Sequence, residues 1–332
     1  MAITFPSISA DIERVMTYAL DEVLPGVIDQ AYGTFAFFEA ITKAPGVTKS
    51  WDSADNLSAR IRLEKQPAGG PIAYYGNYDR TPPNNETRTR HEPKLYTSPI
   101  TISVGDVERA GNAGADLLEE RAKEAVEHHM DQFNGTNGLM GDGTVANAIT
   151  GVKSILDTTP STGTYGGVSR TNTNWRNIAT DNSNTTADVL EDLRTCHTSL
   201  TWGKEGPDLV VTNRTGRNVY ESKLTGTLRL DPMLIAQAGR SAKGDAGLAA
   251  LSYKGIPMIT DPDFSLIDGS SNWWFFNTKY LLWRPHTETN FRKLPVKLAE
   301  DQPIYKSAIL THVAFLCTSL RHQGMVHNGP AS

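Results

Sequence analysis

The sequence predicts an α+β fold, in which one long amphipathic helix and a long apolar strand region frame a mixed α/β body. Three stretches carry this prediction. Val107, Ala110, Gly114, Leu117, Leu118, Ala122, Ala125, Val126, Met130 and Phe133 recur every three or four residues, the period of one helix face. Residues 304–326 are almost continuously apolar, as a strand or strand pair buried on both sides would be. Between residues 50 and 98, two arms of alternating character flank a middle rich in Gly, Pro and Tyr.

The chain starts with a helical segment. Ser9 is placed to cap a helix over residues 11–23, with Ile12, Val15, Met16, Ala19 and Val23 on one stripe and Asp11 and Glu13 in its first turn. Pro25-Gly26 ends it. A second helix carries Val27, Ile28, Tyr32, Phe35, Phe38 and Ile41, with Phe37 and Phe38 read as packing anchors. Residues 1–49 thus form a helical N-terminal arm.

Residues 50–98 follow as a long hairpin. Its first arm, Ala59-Arg60-Ile61-Arg62-Leu63-Glu64, alternates apolar and charged residues, the pattern of a half-buried strand. Its second arm, Thr87-Arg88-Thr89-Arg90-His91-Glu92, alternates Thr with charge. The tip holds Pro67, Gly69, Gly70, Pro71, Tyr74, Tyr75, Gly76, Tyr78, Pro82 and Pro83. Two strands alone are marginal in water, and these arms carry too few apolar residues for a core. A loop this long is either functional or a flexible insertion; regular alternation and three tyrosines favour the first, with a neighbouring subunit supplying the missing surface. The expected contact residues are Arg60, Arg62, Glu64, Tyr74, Tyr75, Tyr78, Arg88, Arg90 and Glu92.

Ile100, Ile102 and Val104 mark a strand, and residues 106–133 the long helix, about 40 Å in length. Gly111 and Gly114 weaken its first turns and are its expected flex points. Asn134-Gly135 ends it. Loops with short strands, one of them over residues 149–156, fill 138–182. A helix over 187–200 follows, capped by Thr185 or Thr186, with Val189, Leu190, Leu193, Cys196, His197 and Leu200 inward. Residues 207–212 read as a buried strand and 215–224 as a helix. Strands then lie around Gly255, at 273–276 and at 280–283, and Gly324 offers a turn near the end of the terminal apolar stretch.

Composition narrows the function. A net charge of −5 argues against a general nucleic-acid binder, which clusters Lys and Arg to neutralise phosphates. Cys196 and Cys317 have no partner at metal-ligand spacing and read as buried, reduced thiols. The N-terminus lacks the basic and apolar regions of a secretory signal, and no apolar run approaches the length of a membrane span. Synthesis in a cytoplasm is expected, and no membrane contact.

The search for catalysis returns nothing specific. Nucleophile elbow, phosphate-binding loop and dinucleotide fingerprint are all missing. Gly141-Asp142-Gly143 lacks the Lys-Ser/Thr of a phosphate cradle, and His91-Glu92 lacks the second His of a zinc protease. His128 and His129 read as solvated or packed residues. Asp261, Asp263 and Asp268 break the EF-hand spacing and read as a turn. No cofactor, metal or catalytic residue is expected. Dispersed residues could still converge in space, so an uncharacterised α/β enzyme stays open as an alternative.

The order of elements, together with the stretch from Pro160 to Arg170 and Asn174-Trp175-Arg176-Asn177, Tyr74-Tyr75-Gly76-Asn77-Tyr78 and the ending around Arg321-His322-Gln323-Gly324, resembles the major capsid proteins of tailed bacteriophages, which share the Hong Kong 97-type fold. The resemblance implies an N-terminal arm (1–49), an extended loop (50–98), a peripheral domain (99–137 and 290–332) with its spine helix (106–133), and an axial domain (138–289). It implies self-assembly into hexamers and pentamers of an icosahedral head that encloses double-stranded DNA without reading its sequence. Implied partners are the chain itself, a scaffold, a portal and decoration proteins. The chain starts without the scaffolding segment some members cleave, so a separate scaffold or prior trimming is expected. Some members cross-link a hairpin Lys to a neighbour's Asn, parts Lys65, Lys94 and Asn328 could take; others rely on non-covalent contacts or decoration proteins. An encapsulin-type compartment shell shares the fold and is the nearer alternative.

Overall fold

The computed structural model describes residues 36–44, 48–52, 56–63, 74, 76, 86–106, 114–135, 137–183, 188–224, 251–266 and 271–329. Everything expected for residues 1–35 lies outside this set.

Two sheets organise these residues. The first is built on β14 (Ile304–Cys317). Along one edge β14 pairs antiparallel with β3 (Lys94–Ser103), Ile304 opposite Ser103 and Val313 opposite Lys94. Along its other edge lie β11 (Leu281–Pro285), β12 (Arg292–Lys293) and β13 (Lys297–Leu298), all antiparallel. Alternation along β14 sends Tyr305, Ile309, Val313 and Phe315 to a buried face.

That face is covered by two helices, α1 (Ala36–Lys43) and α2 (Gly114–Asn134). Ala122, Ala125, Val126, Met130 and Phe133 of α2 are buried, as their spacing predicts. Phe133 stacks on Phe38 of α1 at 6.4 Å and meets Trp283 edge-on at 5.7 Å. Phe37 and Phe38 are indeed packing anchors, buried in the chain's own core. His129 clamps α2 to the sheet. Its two ring nitrogens bond the hydroxyls of Ser98 on β3 and Thr311 on β14, each at 2.9 Å. Burial lowers its pKa to about 4, so the ring is neutral.

The second sheet has the order β6-β15-β10-β7-β9-β8. Its strands are β6 (Ile178–Asp181), β7 (Leu209–Thr212), β8 (Leu251–Tyr253), β9 (Ile256–Thr260), β10 (Ser271–Phe276) and β15 (Gly324–Gly329). The β6/β15 and β7/β9 pairs are parallel and the others antiparallel. Helices α4 (Val189–Leu200) and α5 (Arg214–Leu224) pack against it; α3 is the single turn Val152–Ile155.

Several expectations shift. The long helix is described from Gly114, its first residue, so Gly111 lies outside the described set. The strand expected over 149–156 is the helix α3, since four residues are too few for periodicity to separate the two. Helix α4 starts at Val189 after Asp188, which makes no side-chain cap, and Thr185 and Thr186 lie outside the described residues. Leu190 faces outward at 37% exposure. The terminal apolar stretch is two strands in different sheets, joined through the 3-10 turn Leu320–His322. Gly324 is not its turn but the start of β15, where a Cβ would lie 2.7 Å from Leu200.

Candidate assembly surface

The hairpin is present as β1 (Leu57–Arg62) and β2 (Glu86–His91), antiparallel, with Arg60 opposite Arg88, Arg62 opposite Glu86 and Ser58 opposite Arg90. Alternation splits it into two unlike faces. Ile61, Thr89 and His91 point inward and are buried. Ser58, Arg60, Arg62, Glu86, Arg88 and Arg90 all point outward and are exposed. Arg62 bonds Glu86 at 3.1 Å. Arg60 and Arg88 stand as a like-charged pair across the ladder, an arrangement that costs a strand pair stability. The second arm runs one residue earlier than expected, over Glu86–His91, and β3 begins at Lys94, inside the 50–98 stretch, its buried alternation continuing through Ile102.

The inner face rests on a loop of the same chain. The Arg90 N–H donates to the Gly166 carbonyl at 3.0 Å. Gly166 has φ +59°, and a Cβ there would lie 2.9 Å from both His91 Nε2 and the Thr89 Cβ. The two-residue strands β4 (Thr164–Tyr165) and β5 (Val168–Ser169) form the tight turn that brings it there. Tyr165 packs on His91 at 5.0 Å, and its hydroxyl accepts from the Cys317 N–H at 2.9 Å. Arg170 is buried, donating to Asn177 Oδ1 at 3.1 Å, bonding the Ser154 carbonyl, and lying over the Tyr165 ring. The Asn174 side-chain amide donates to the Leu63 carbonyl at 2.8 Å. Arg321 donates to Asn174 and lies 3.4 Å above the Trp202 ring. Thus Tyr165, Gly166, Arg170, Asn174 and Arg321, which the sequence marked only as a pattern, seat the hairpin root. Their Gly-Gly turn and buried Arg were the signals of a built loop, but not of what it holds.

A strap completes the root. Residues 48–52 run parallel beside β11: the Trp51 N–H donates to the Pro285 carbonyl at 3.1 Å, and the Thr287 N–H to the Trp51 carbonyl at 3.0 Å.

Of the remaining expected contact residues, Tyr74 is 99% exposed. Glu92 is exposed and pairs with Lys94 at 2.6 Å. Glu64, Tyr75, Tyr78 and Lys65 lie outside the described residues. Asn328 adopts φ +54° and donates to Asp181 at 3.0 Å.

Among the described residues no three His, Cys, Asp or Glu side chains group to hold a metal. Ser98 beside His129 resembles a nucleophile and its base, but both are fully buried. Cys196 and Cys317 are free and buried, and burial pushes both thiols up to about 12, away from reactivity. Asp261 opens a turn as expected, and its buried carboxylate accepts the N–H groups of Phe37 and Asp263; Asp268 lies outside the described residues. No described helix is long and apolar enough to cross a membrane.

The described residues thus combine a strand hairpin, one long helix, a long returning strand and a second mixed sheet. The chain has the fold of the tailed-phage major capsid proteins, the Hong Kong 97 type. It is similar to the capsid of cyanophage A-1(L), with TM-score 0.57, 13% identity, and 87% of this chain and 92% of that chain covered. The capsid of a native GTA particle matches with TM-score 0.53, 13% identity, and 88% and 89% covered. The procapsid of satellite phage P4 matches with TM-score 0.50, 11% identity, and 93% and 92% covered. No protein-family model matches the sequence, and neither does any curated protein.

Proposed function

We propose that this chain is the major capsid protein of a tailed phage, assembling with copies of itself into hexamers and pentamers of an icosahedral head around double-stranded DNA. The observation that carries the reading is the two-faced hairpin: its inner face is seated by its own chain, while its outer face gathers four arginines with no apolar cover among the described residues. An acidic surface on a neighbouring subunit would relieve the Arg60–Arg88 opposition and set register more than affinity. In this reading residues 50–98 are the extended loop, α2 is the spine of the peripheral domain, and the six-stranded sheet is the core of the axial domain. The arm 1–49 crosses to another subunit, and Gly111 and Gly114 flex the spine as the shell changes size. The subunit performs no catalysis of its own. Scaffold, portal and decoration proteins are the expected companions, and the virion the destination.

Deletion of residues 66–84 tests the reading. The variant should keep the circular dichroism spectrum of a folded subunit but form no shells in negative-stain electron microscopy. Normal shells from this variant would refute hairpin docking. Purified wild-type particles carrying protein cargo instead of DNA would move the assignment to a compartment shell.

A further inference from the structure

We propose that the hairpin roots form an acid-labile clasp, in which neutral His312 and His91 hold the two strands to the body and their protonation frees the hairpin. The clasp is a property of the single chain and stands apart from the shell reading.

The geometry is specific to the two points where the hairpin leaves the body. At the entry, Trp51 lies edge-on against His286 at 4.7 Å and His312 at 4.9 Å. His286 Nε2 donates to the Asp52 carbonyl at 2.8 Å, and its Nδ1 accepts the Glu288 N–H at 3.1 Å. At the exit, His312 stands on β14 opposite Leu95 of β3, its ring half-buried and near the Pro93 carbonyl. The two rings stack on each other at 5.9 Å and share the one tryptophan of the entry strand. Further along the second strand, His91 Nε2 is buried over Gly166 with no hydrogen-bond partner among the described residues.

A proton has nowhere favourable to go at His91, and is disfavoured more weakly at the half-buried His312. Burial lowers the pKa of His312; the nearby Pro93 carbonyl works against this and His286 adds to it, leaving the ring below its ordinary value. Burial alone lowers the pKa of His91 to about 4. The charged groups nearby are few. Lys94 and Glu92 pair with each other beside Pro93. The Asp52 carboxylate accepts from the Thr287 hydroxyl and sits on the His286 side. Arg170 lies behind the Tyr165 ring that faces His91. A proton on either ring therefore favours the released hairpin, where histidine titrates near 6.5. The sign follows: the clasp holds fully above about 6.5, and loses strength as pH falls through the window down to about 4. At pH 5 the His91 shift alone weights the released state about 30-fold.

Hydrogen–deuterium exchange of the full chain at pH 7.5 and pH 5, corrected for intrinsic rates, tests this. Residues 57–62 and 86–91 should exchange at least about tenfold faster at pH 5, while β10 stays protected. The double variant His91→Phe with His312→Gln cannot take up these protons, and the Gln amide can still serve Pro93; its hairpin should show no such rise. Protection of β10 in the variant reports that its body is folded, and His312→Gln alone should retain only part of the pH response. Three outcomes would overturn the clasp: unchanged hairpin protection in the wild type at pH 5, a rise spread equally over β10, or the full rise persisting in the double variant.

Discussion

Strand β10 and the β1–β2 hairpin are both built from alternating side chains, yet their two faces end up in opposite conditions. On β10, Trp273 and Phe275 pack into the cluster with Val189, Leu193 and Val219 on one side. Trp274 and Phe276 join the cluster with Phe37 and Phe264 on the other. All four are fully buried, so the strand is complete within one chain. The hairpin has one such face. Its inner side reaches Thr89 and His91, and its outer side ends in arginines. The lesson is that alternation specifies faces but not what covers them: apolar residues on both faces close a fold, whereas charge on one face leaves an unpartnered surface.

Breaking the closed region should have the largest effect. Phe276→Ala empties a site between Phe37 and Phe264, and should cost about 3–5 kcal/mol in urea unfolding. A loss below about 1 kcal/mol would mean that this core repacks freely. Next, His129→Leu should cost about 2–4 kcal/mol, because the Ser98 and Thr311 hydroxyls lose their shared partner in a buried site; the same unfolding measurement reads it. At the seam between the two regions, Gly166→Ala should cost about 1–2 kcal/mol, since a Cβ meets His91 and Thr89 at a left-handed φ. Its damage should stay local, with exchange rising in residues 57–62 and 86–91 and not in β10. The smallest effect on the subunit should come from Arg60→Ala with Arg88→Ala. Stability should change by no more than about 0.5 kcal/mol, while shell yield in sedimentation falls sharply. Unchanged yield would remove the arginine face from assembly.

Much of this was legible before the structure, for identifiable reasons. The stripe of the long helix from Ala122 to Phe133 lies inward because a 21-residue element repeats its period often enough to be unambiguous. The outward Arg60, Arg62, Arg88 and Arg90 follow from period-two alternation. Short elements were not legible: α3 and the turn at Gly166 are too brief for any period to register. The partition of residues 304–329 into two sheets was also hidden, because a continuous apolar run looks the same whether its strands share a sheet or leave it.

By itself the sequence determined which residues are inward and which outward along each long element, since periodicity is a local property of neighbouring side chains. Only the tertiary structure decided what those faces meet. It placed the Tyr165–Asn177 loop under the hairpin, and the pair His286 and His312 at its feet, residues separated from the hairpin by up to more than 200 positions. Such contacts depend on how the chain returns to itself, which no local pattern of residues encodes.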